Sequence, residues 1–329
     1  MIPVIPPGTD ECTKLYCCHQ LLIPLISSEF LCRPFALELV YIISISKNLK
    51  IYQVTMEKQA HVLVIPLQAQ GHLMPIMKFS HGLAKHGIKI TIVNTESTHN
   101  QILNSLAKED DIASINLVSC PNVYDYQQVK KLIQQMNDDE KITCVLVDSF
   151  LAWNMEAAAE LGIKTATICC FSATHFLPIF DLPKLIQHGV IDNQGIPKQK
   201  MFQLSPTIPS MSTSRMGWVN PETRKVEKYV FEFASKINKS MALTEWVLCN
   251  SSYDLEAEAF KMYPKMLPIG PLLSSNRSGE EIKNKLDELL GSDKYKANAM
   301  DLKEKLMNSV KEGGNSYNNF MSFVEWVKT

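Results

Sequence analysis

The sequence predicts an α/β protein built on a Rossmann-like parallel sheet. Three observations lead to this prediction. Residues 61–93 show a strand, a helix and a second strand in succession, and strands and helices keep alternating up to residue 269. In addition, 46% of the residues are hydrophobic, which is enough to fill a packed core. A chain of 329 residues has room for about two domains.

The first strand–helix–strand unit places a histidine at a loop. Residues 61–66 form an apolar run typical of a buried strand, residues 73–85 have helical periodicity, and residues 88–93 predict the next strand. His72 follows the short connection between the first strand and the helix. Ligands of open parallel sheets bind at the carboxyl ends of the strands, so we expect His72 to face a ligand rather than the core.

The later elements repeat the same alternation. We predict strands over residues 115–119, 142–147, 164–170, 246–250 and 266–269, and helices over residues 126–136, 151–161, 222–241 and 254–262. Two amphipathic helices follow, over residues 280–290 and 301–310. Right-handed crossovers place every strand-to-helix loop of a parallel sheet at one edge.

Two of these loops carry ionisable side chains, His72 and Asp148, which can therefore meet. A carboxylate that accepts a hydrogen bond from one imidazole nitrogen leaves the other nitrogen free to take a proton, as in a general-base pair. A structural interpretation stands beside this one. His72 can satisfy a backbone group, and Asp148 can cap the helix that begins near Leu151. Spacing alone leaves both open.

Composition and motifs exclude several classes of function. The 33 basic and 34 acidic residues give a net charge of −1, so no field attracts nucleic acid or an anionic membrane. The nine cysteines show no C-x-x-C spacing, and we expect reduced thiols and no metal site. Hydrolase, P-loop, dehydrogenase and zinc-protease motifs are absent from the sequence, which disfavours those enzymes.

The first 55 residues differ in character from the rest. Their apolar stretches are interrupted by Glu29, Arg33 and Glu38 and are too short to span a bilayer, so we predict no stable membrane insertion. Met56 stands directly before the first strand and looks like the start of a cytosolic protein. We therefore expect residues 1–55 to be a non-native or disordered extension, and the protein to be cytoplasmic.

Four segments of the chain resemble one family. They read HVLVIPLQAQGHLMPIMKFSHGLAKHGIKITIVNTE, CVLVDSFLAWNMEAAAELGIKTATICCFSA, WVLCNSSYDLE and LPIGPLL. Together they are similar to the amino-terminal half of the plant family 1 UDP-glycosyltransferases, which have the two-domain GT-B fold. The resemblance implies that residues 56–273 form the acceptor-binding domain of that fold.

The resemblance also implies roles for individual residues. His72 corresponds to the base that deprotonates an acceptor hydroxyl, and Asp148 to its partner. Gly71, beside His72, and Ser172 correspond to positions near the donor sugar or phosphate. Side chains expected to line the acceptor pocket are Phe150, Trp153, Phe171 and His175. The co-substrate implied is a UDP-sugar, with UDP-glucose expected, and the family's reaction uses no metal or other cofactor.

The carboxyl-terminal part departs from the family pattern. The W-x-P-Q and H-C-G-W-N-S elements of the family's donor-binding signature are missing, and the chain passes from Asn276 through Arg277 to Ser278 and on to terminal helices. We expect residues 274–329 to form a linker and remnant helices of a truncated donor domain. Phe320, Phe323 and Trp326 are expected to dock on the first domain.

By resemblance, the expected activity is inverting transfer of a hexose from a UDP-sugar to a hydroxyl of a small lipophilic plant metabolite. Because the donor signature is missing, we expect this chain to have little or no activity, and we expect a monomer. Two alternatives stay open. The chain can be a non-catalytic acceptor-binding or regulatory isoform, or a translation product that does not accumulate.

Overall fold

The computed structural model describes residues 39–45, 48–54, 59–99, 115–220, 222–223, 225–272 and 293–329. The chain divides into two units, Met1–Lys58 and Gln59–Thr329. In the first unit, strands β1 (Leu39–Ile45) and β2 (Asn48–Val54) pair in antiparallel register. The prediction that residues 1–55 are a non-native or disordered extension stays a prediction.

The second unit is built on a parallel sheet of seven strands. Its members are β3 (His61–Ile65), β4 (Lys89–Asn94), β5 (Ile115–Ser119), β6 (Cys144–Asp148), β7 (Lys164–Cys169), β10 (Trp246–Cys249) and β11 (Met266–Pro268). Two short strands, β8 (Met201–Phe202) and β9 (Met211–Ser212), pair antiparallel outside this sheet. The predicted Rossmann-like α/β fold is confirmed.

Helices connect the strands. They are α1 (Gln70–Lys85), α2 (Tyr126–Asp139), α3 (Met155–Glu160), α4 (Ala173–Phe180), α5 (Leu182–Gln187), α6 (Lys228–Ser240), α7 (Tyr253–Met262), α8 (Asp293–Val310) and α9 (Asn315–Lys328). None of the helices in the described part of the chain combines the length and the apolar character that crossing a bilayer requires.

The strand order creates a crevice at the centre of the sheet. The strands lie in the order β11-β10-β7-β6-β3-β4-β5, so the chain moves outward from β3 to β5 and then returns to the other side of β3 with β6. Neighbouring loops at such a switch point run in opposite directions and leave a gap at the carboxyl ends of the strands. The loops that follow β3 and β6 flank this gap.

Side chains of the central strands alternate between two cores. Val62 and Val64 of β3 pack into the cluster on one face, and Leu63 and Ile65 pack into the cluster on the other. All four side chains are fully buried. Burial of every position is what a parallel sheet covered on both faces requires, and it explains the unbroken apolar run in the sequence.

The carboxyl-terminal helix α9 packs on one of these faces. Phe323 is fully buried, with its ring centroid 5.6 Å from that of Phe79 in α1. Phe320 contacts Phe79, and Trp326 contacts Trp246. The predicted docking of Phe320, Phe323 and Trp326 on the sheet domain is therefore confirmed.

Helix α8 is covered much less well than α9. Met300 is 65% exposed and Leu302 is 38% exposed, while Leu306 and Val310 are only partly buried. The apolar stripe of this predicted amphipathic helix, Leu302, Leu306 and Val310, is thus incompletely covered. The other predicted helix, over residues 280–290, lies outside the described residues.

Two predicted helices differ from the structure. The helix predicted over residues 222–241 begins only at Lys228, because the Asn220 side chain accepts hydrogen bonds from the amides of Glu222 and Thr223 and holds a turn there. The helix predicted over residues 151–161 is split into a 3-10 helix (Ser149–Asn154) followed by α3. Leu151 has non-helical backbone angles inside this segment, which breaks the α-helical path.

Candidate active site

His72 and Asp148 meet at the central crevice. His72 lies in the first turn of α1 and Asp148 is the last residue of β6, and these elements flank the switch point. The His72 Nδ1 atom lies 2.8 Å from Asp148 Oδ2. The Asp148 side chain is fully buried, whereas that of His72 is 19% exposed. The carboxylate is thus held from within the protein, while the imidazole reaches solvent.

Asp148 accepts hydrogen bonds from three groups, the weakest of which is the thiol of Cys170, with its Sγ atom 4.0 Å from Oδ2. Its Oδ1 atom accepts a hydrogen bond of 2.9 Å from the amide of Phe150, which caps the 3-10 helix that follows β6. Its Oδ2 atom faces His72. Asp148 therefore both caps a helix and pairs with His72, so the two interpretations of the sequence hold together. The cap at Oδ1 fixes the direction in which Oδ2 points.

The hydrogen bond with Asp148 determines the His72 tautomer. A carboxylate can only accept, so Nδ1 carries the hydrogen and donates it to Asp148. Nε2 then holds a lone pair, and no described residue forms a hydrogen bond with it. The rings of Phe150 and Phe171 lie at centroid distances of 5.4 and 6.1 Å from the imidazole and shield it. A partly exposed ring nitrogen with this orientation can accept a proton from a bound hydroxyl.

A thiol lies next to this pair. In the described part of the chain, His72, Asp148 and Cys170 are the one group of three potential metal ligands whose donor atoms lie close together, within 4.8 Å. Burial, with a further contribution from Asp148, raises the pKa of the Cys170 thiol far above its ordinary value. A metal ion binds the thiolate rather than the thiol, so this environment disfavours metal binding.

A cavity of about 590 Å³ opens beside His72. Its wall is formed by the loops after β6 and β7, by α4 and α6, and by the connection over residues 201–218. Phe150 and Phe171, the two rings that contact His72, belong to this wall. Most lining side chains are apolar or aromatic, and the volume suits a small organic molecule.

The structure places the residues predicted to line the pocket in different environments. Phe150, Phe171 and His175 line the cavity, as does Ser172. Trp153 does not: it is 1% exposed and lies in the core, with its ring packed 4.5 Å from that of Phe233. The split of the predicted helix turns Trp153 inward, so Phe233 rather than Trp153 reaches the cavity.

Ser172 is held by a partly buried glutamate. Its hydroxyl donates a hydrogen bond of 2.5 Å to Glu256 and accepts one from the amide of His175. Glu256 also accepts hydrogen bonds from Ser251 and from the amides of Ala173 and Thr174 at the start of α4. Burial opposes ionisation of Glu256, but these hydrogen bonds outweigh it and hold the pKa of the carboxyl below its ordinary value.

Gly71 lies in the exposed first turn of α1, next to His72. Ala69, the residue before this helix, has no side chain that could cap it. No described group accepts a hydrogen bond from the amides of Gln70 and Gly71. A Cβ atom at Gly71 would meet nothing within 4 Å, so the space in front of this turn is open. Unpaired amides at the start of a helix favour anionic groups.

Two features of the site were missed by sequence reasoning. The connection over residues 201–218 supplies much of the cavity wall, including Arg215 and Trp218, but it has no helical or strand periodicity. Its only sequence signal is a set of apolar side chains, Met201, Phe202 and Met211, among serines and prolines. Glu256 was not predicted either, because its partners come from two segments far apart in the sequence, one after β7 and one after β10.

The chain is similar to plant sugar-transfer enzymes. It is 37% identical over 241 residues to UDP-glycosyltransferase 83A1 of Arabidopsis thaliana. The aligned region covers 64% of this chain and 52% of that protein. It is 25% identical over 287 residues to a 7-deoxyloganetin glucosyltransferase of Gardenia jasminoides, covering 74% of this chain and 58% of that one. No protein-family model matches the chain.

The fold is shared with solved structures of the same kind. Phytolacca americana UGT2, complexed with UDP-2-fluoro-glucose and pterostilbene, superposes with a TM-score of 0.55 at 18% identity, covering 67% of this chain and 55% of that one. The chain spans about half the length of the curated relatives it matches. Sequence and fold together show that this chain is similar to the plant UDP-glycosyltransferases, whose fold is GT-B.

Proposed function

We propose that this chain carries the acceptor half of an inverting UDP-sugar-dependent O-glycosyltransferase, with His72 as the general base. The observation that supports this most directly is the 2.8 Å hydrogen bond from His72 to buried Asp148 beside an apolar cavity. The acceptor is a small lipophilic plant metabolite with a free hydroxyl. Relatives named as glucosyltransferases support glucose as the sugar.

The reaction follows from the orientation of His72. An acceptor hydroxyl in the cavity approaches Nε2, which takes its proton while the oxygen attacks the anomeric carbon of the sugar. The bond from that carbon to the diphosphate breaks, and UDP leaves with the electron pair. Asp148 stabilises the imidazolium formed in this step. A positioned base of this kind typically contributes about 10²- to 10⁴-fold to the rate.

The donor would meet this half of the enzyme at two places. The unpaired amides of Gln70 and Gly71 suit a diphosphate oxygen. Ser172 lines the same cavity, but its hydroxyl hydrogen is already donated to Glu256, so it can offer a sugar hydroxyl only an acceptor oxygen. No metal or additional cofactor is needed for this chemistry.

We further propose that turnover by this chain is low. The family's donor-binding signature is missing between Asn276 and Ser278, and transfer requires both substrates to be held in attack geometry, which accounts for about 7 to 11 kcal/mol of the barrier in well-oriented systems. In this proposal residues 56–273 form the acceptor domain, residues 274–329 a linker and remnant helices, and residues 1–55 an extension. The protein is a cytoplasmic monomer.

A second candidate is a non-catalytic acceptor-binding isoform. The cavity and the His72–Asp148 pair are complete without the donor signature, so the chain can hold an acceptor without consuming it. Both candidates share acceptor binding and differ only in turnover.

Binding and transfer can be measured separately on the purified chain. Calorimetry with aromatic alcohols should show binding in the cavity, and mass spectrometry after incubation with UDP-glucose should show at most traces of glucoside. Glucoside formation that disappears in His72→Ala would support the chemistry and contradict the proposed low turnover. If no aromatic alcohol binds at all, both candidates are wrong.

A further inference from the structure

Arg215 lines the mostly apolar cavity beside His72. It ends the short 3-10 helix Thr213–Arg215, in the connection over residues 201–218 that forms part of the cavity wall. Its side chain is exposed. No described carboxylate pairs with it, and no described group accepts a hydrogen bond from its guanidinium. A guanidinium has five N–H donors, all of which are left for solvent or a ligand.

The cavity wall carries a positively charged side chain and no negatively charged one. None of the lining residues is an aspartate or a glutamate, and the polar ones besides Arg215 and His175 are serines and a threonine. Hydroxyls can orient a ligand but do not neutralise a charge. An anion that enters this cavity therefore meets a cation and no competing carboxylate in the wall.

We propose that the acceptor is an acid: a lipophilic small molecule with one carboxylate, which Arg215 binds, and one hydroxyl, which points to His72. This inference rests on the proposed function and specifies its substrate class. A planar guanidinium matches a carboxylate with two parallel hydrogen bonds, which fixes direction as well as affinity. The apolar body of the acceptor would lie against Met216, Trp218 and Phe233.

The charges near the cavity favour one orientation of such a molecule. Asp148 places a buried carboxylate directly behind His72, so an acid group at that end would meet like charge. Arg215, in the wall formed by the connection over residues 201–218, attracts the acid instead. The hydroxyl end is therefore the one that reaches Nε2, and the acid serves as an anchor rather than as the attacking group.

A matched pair of ligands tests this proposal. 6-Hydroxy-2-naphthoic acid and its methyl ester share the ring and the hydroxyl and differ in charge at one end. In calorimetry with the full chain, we expect the acid to bind about tenfold more tightly than the ester, as one charged hydrogen-bonded contact of about 1.4 kcal/mol predicts. Added salt should weaken binding of the acid and leave the ester unchanged.

Substitutions identify the residue responsible. Arg215→Gln should lower the affinity for the acid to that of the ester, and Arg215→Lys should restore part of it. Lys200→Gln, an equal change of charge at an exposed position outside the cavity wall, should have no effect. Unfolding temperatures should be unchanged in Arg215→Gln, because no described group depends on its side chain.

The outcomes separate this proposal from the one it rests on. If the ester binds as tightly as the acid, or if Arg215→Gln leaves the preference intact, the acidic acceptor is wrong while acceptor binding stands. If neither ligand binds the native chain, the acceptor cavity itself is wrong, and with it the proposed function.

Discussion

The buried carboxylate of Asp148 accepts hydrogen bonds from the Phe150 amide and from His72, and each of these has a different consequence when the residue is changed. Asp148→Asn keeps an oxygen for the Phe150 amide but turns an NH₂ group toward His72. His72 must then accept at Nδ1 and carry its hydrogen on Nε2. We expect a folded protein whose His72 tautomer is reversed, visible in the ¹⁵N spectrum of labelled histidine. An unchanged tautomer would contradict the pairing described here.

Because the pKa of Glu256 is lowered in the folded state, we expect the stability of the fold to depend on pH. Because its pKa is below the ordinary value of 4.5 in the folded state, the charged form stabilises the fold above that pH, and this contribution is lost as the pH falls through the folded-state pKa. Chemical denaturation of the native chain and Glu256→Gln should give a difference that is constant near neutral pH and shrinks below about pH 4.5. Glu304→Gln, at an exposed position that forms no described hydrogen bond or ion pair, is the control. A difference that grows toward acid would contradict this assignment.

At the scale of single residues, the sequence predicts His72 and Asp148 because crossover handedness places their loops at one edge. It does not predict that Trp153 turns into the core, because that depends on a break at Leu151 which follows from the cap at Phe150. It does not predict Arg215 as part of the cavity either, since an irregular connection carries no periodic signal.

Among the elements, α9 shows how a terminal helix can stabilise a domain that precedes it. Phe323 is fully buried against Phe79 and Trp246. Phe323→Ala should lower the free energy of unfolding by about 3 to 5 kcal/mol, measured by urea denaturation. Glu325→Ala, at an exposed position of the same helix, should cost less than about 1 kcal/mol. Equal effects of the two substitutions would show that α9 is not docked as described.

For helix α8, in contrast to α9, we expect local opening. Met300 and Leu302 are exposed, so little apolar burial opposes local opening of this helix. In hydrogen exchange followed by mass spectrometry, peptides from α8 should exchange faster than peptides from α9. Equal protection of both helices would mean that the apolar stripe of α8 is covered in solution. Periodicity predicts that α8 is a helix, but it cannot predict how far a neighbour covers it.

For the whole molecule, the strand order explains why the candidate site is complete within this one sheet. The switch point between β3 and β6 brings both site residues together within one sheet, so the pair does not need a second domain. The alternation of elements predicts this sheet, because buried parallel strands leave continuous apolar runs. Catalysis, in contrast, requires a donor, and its binding signature is the part of the family pattern that this sequence lacks.

The most direct test of the His72–Asp148 pair is the ¹⁵N spectrum of histidine-labelled protein, with His72 assigned by loss of its signals in His72→Gln. At a pH where His72 is neutral, the native chain should show a protonated Nδ1 and an unprotonated Nε2. Addition of 6-hydroxy-2-naphthoic acid should then shift the Nε2 signal, because the acceptor hydroxyl donates to that atom. A protonated Nε2, or an Nε2 signal that a bound acceptor leaves unchanged, would contradict the proposed general base.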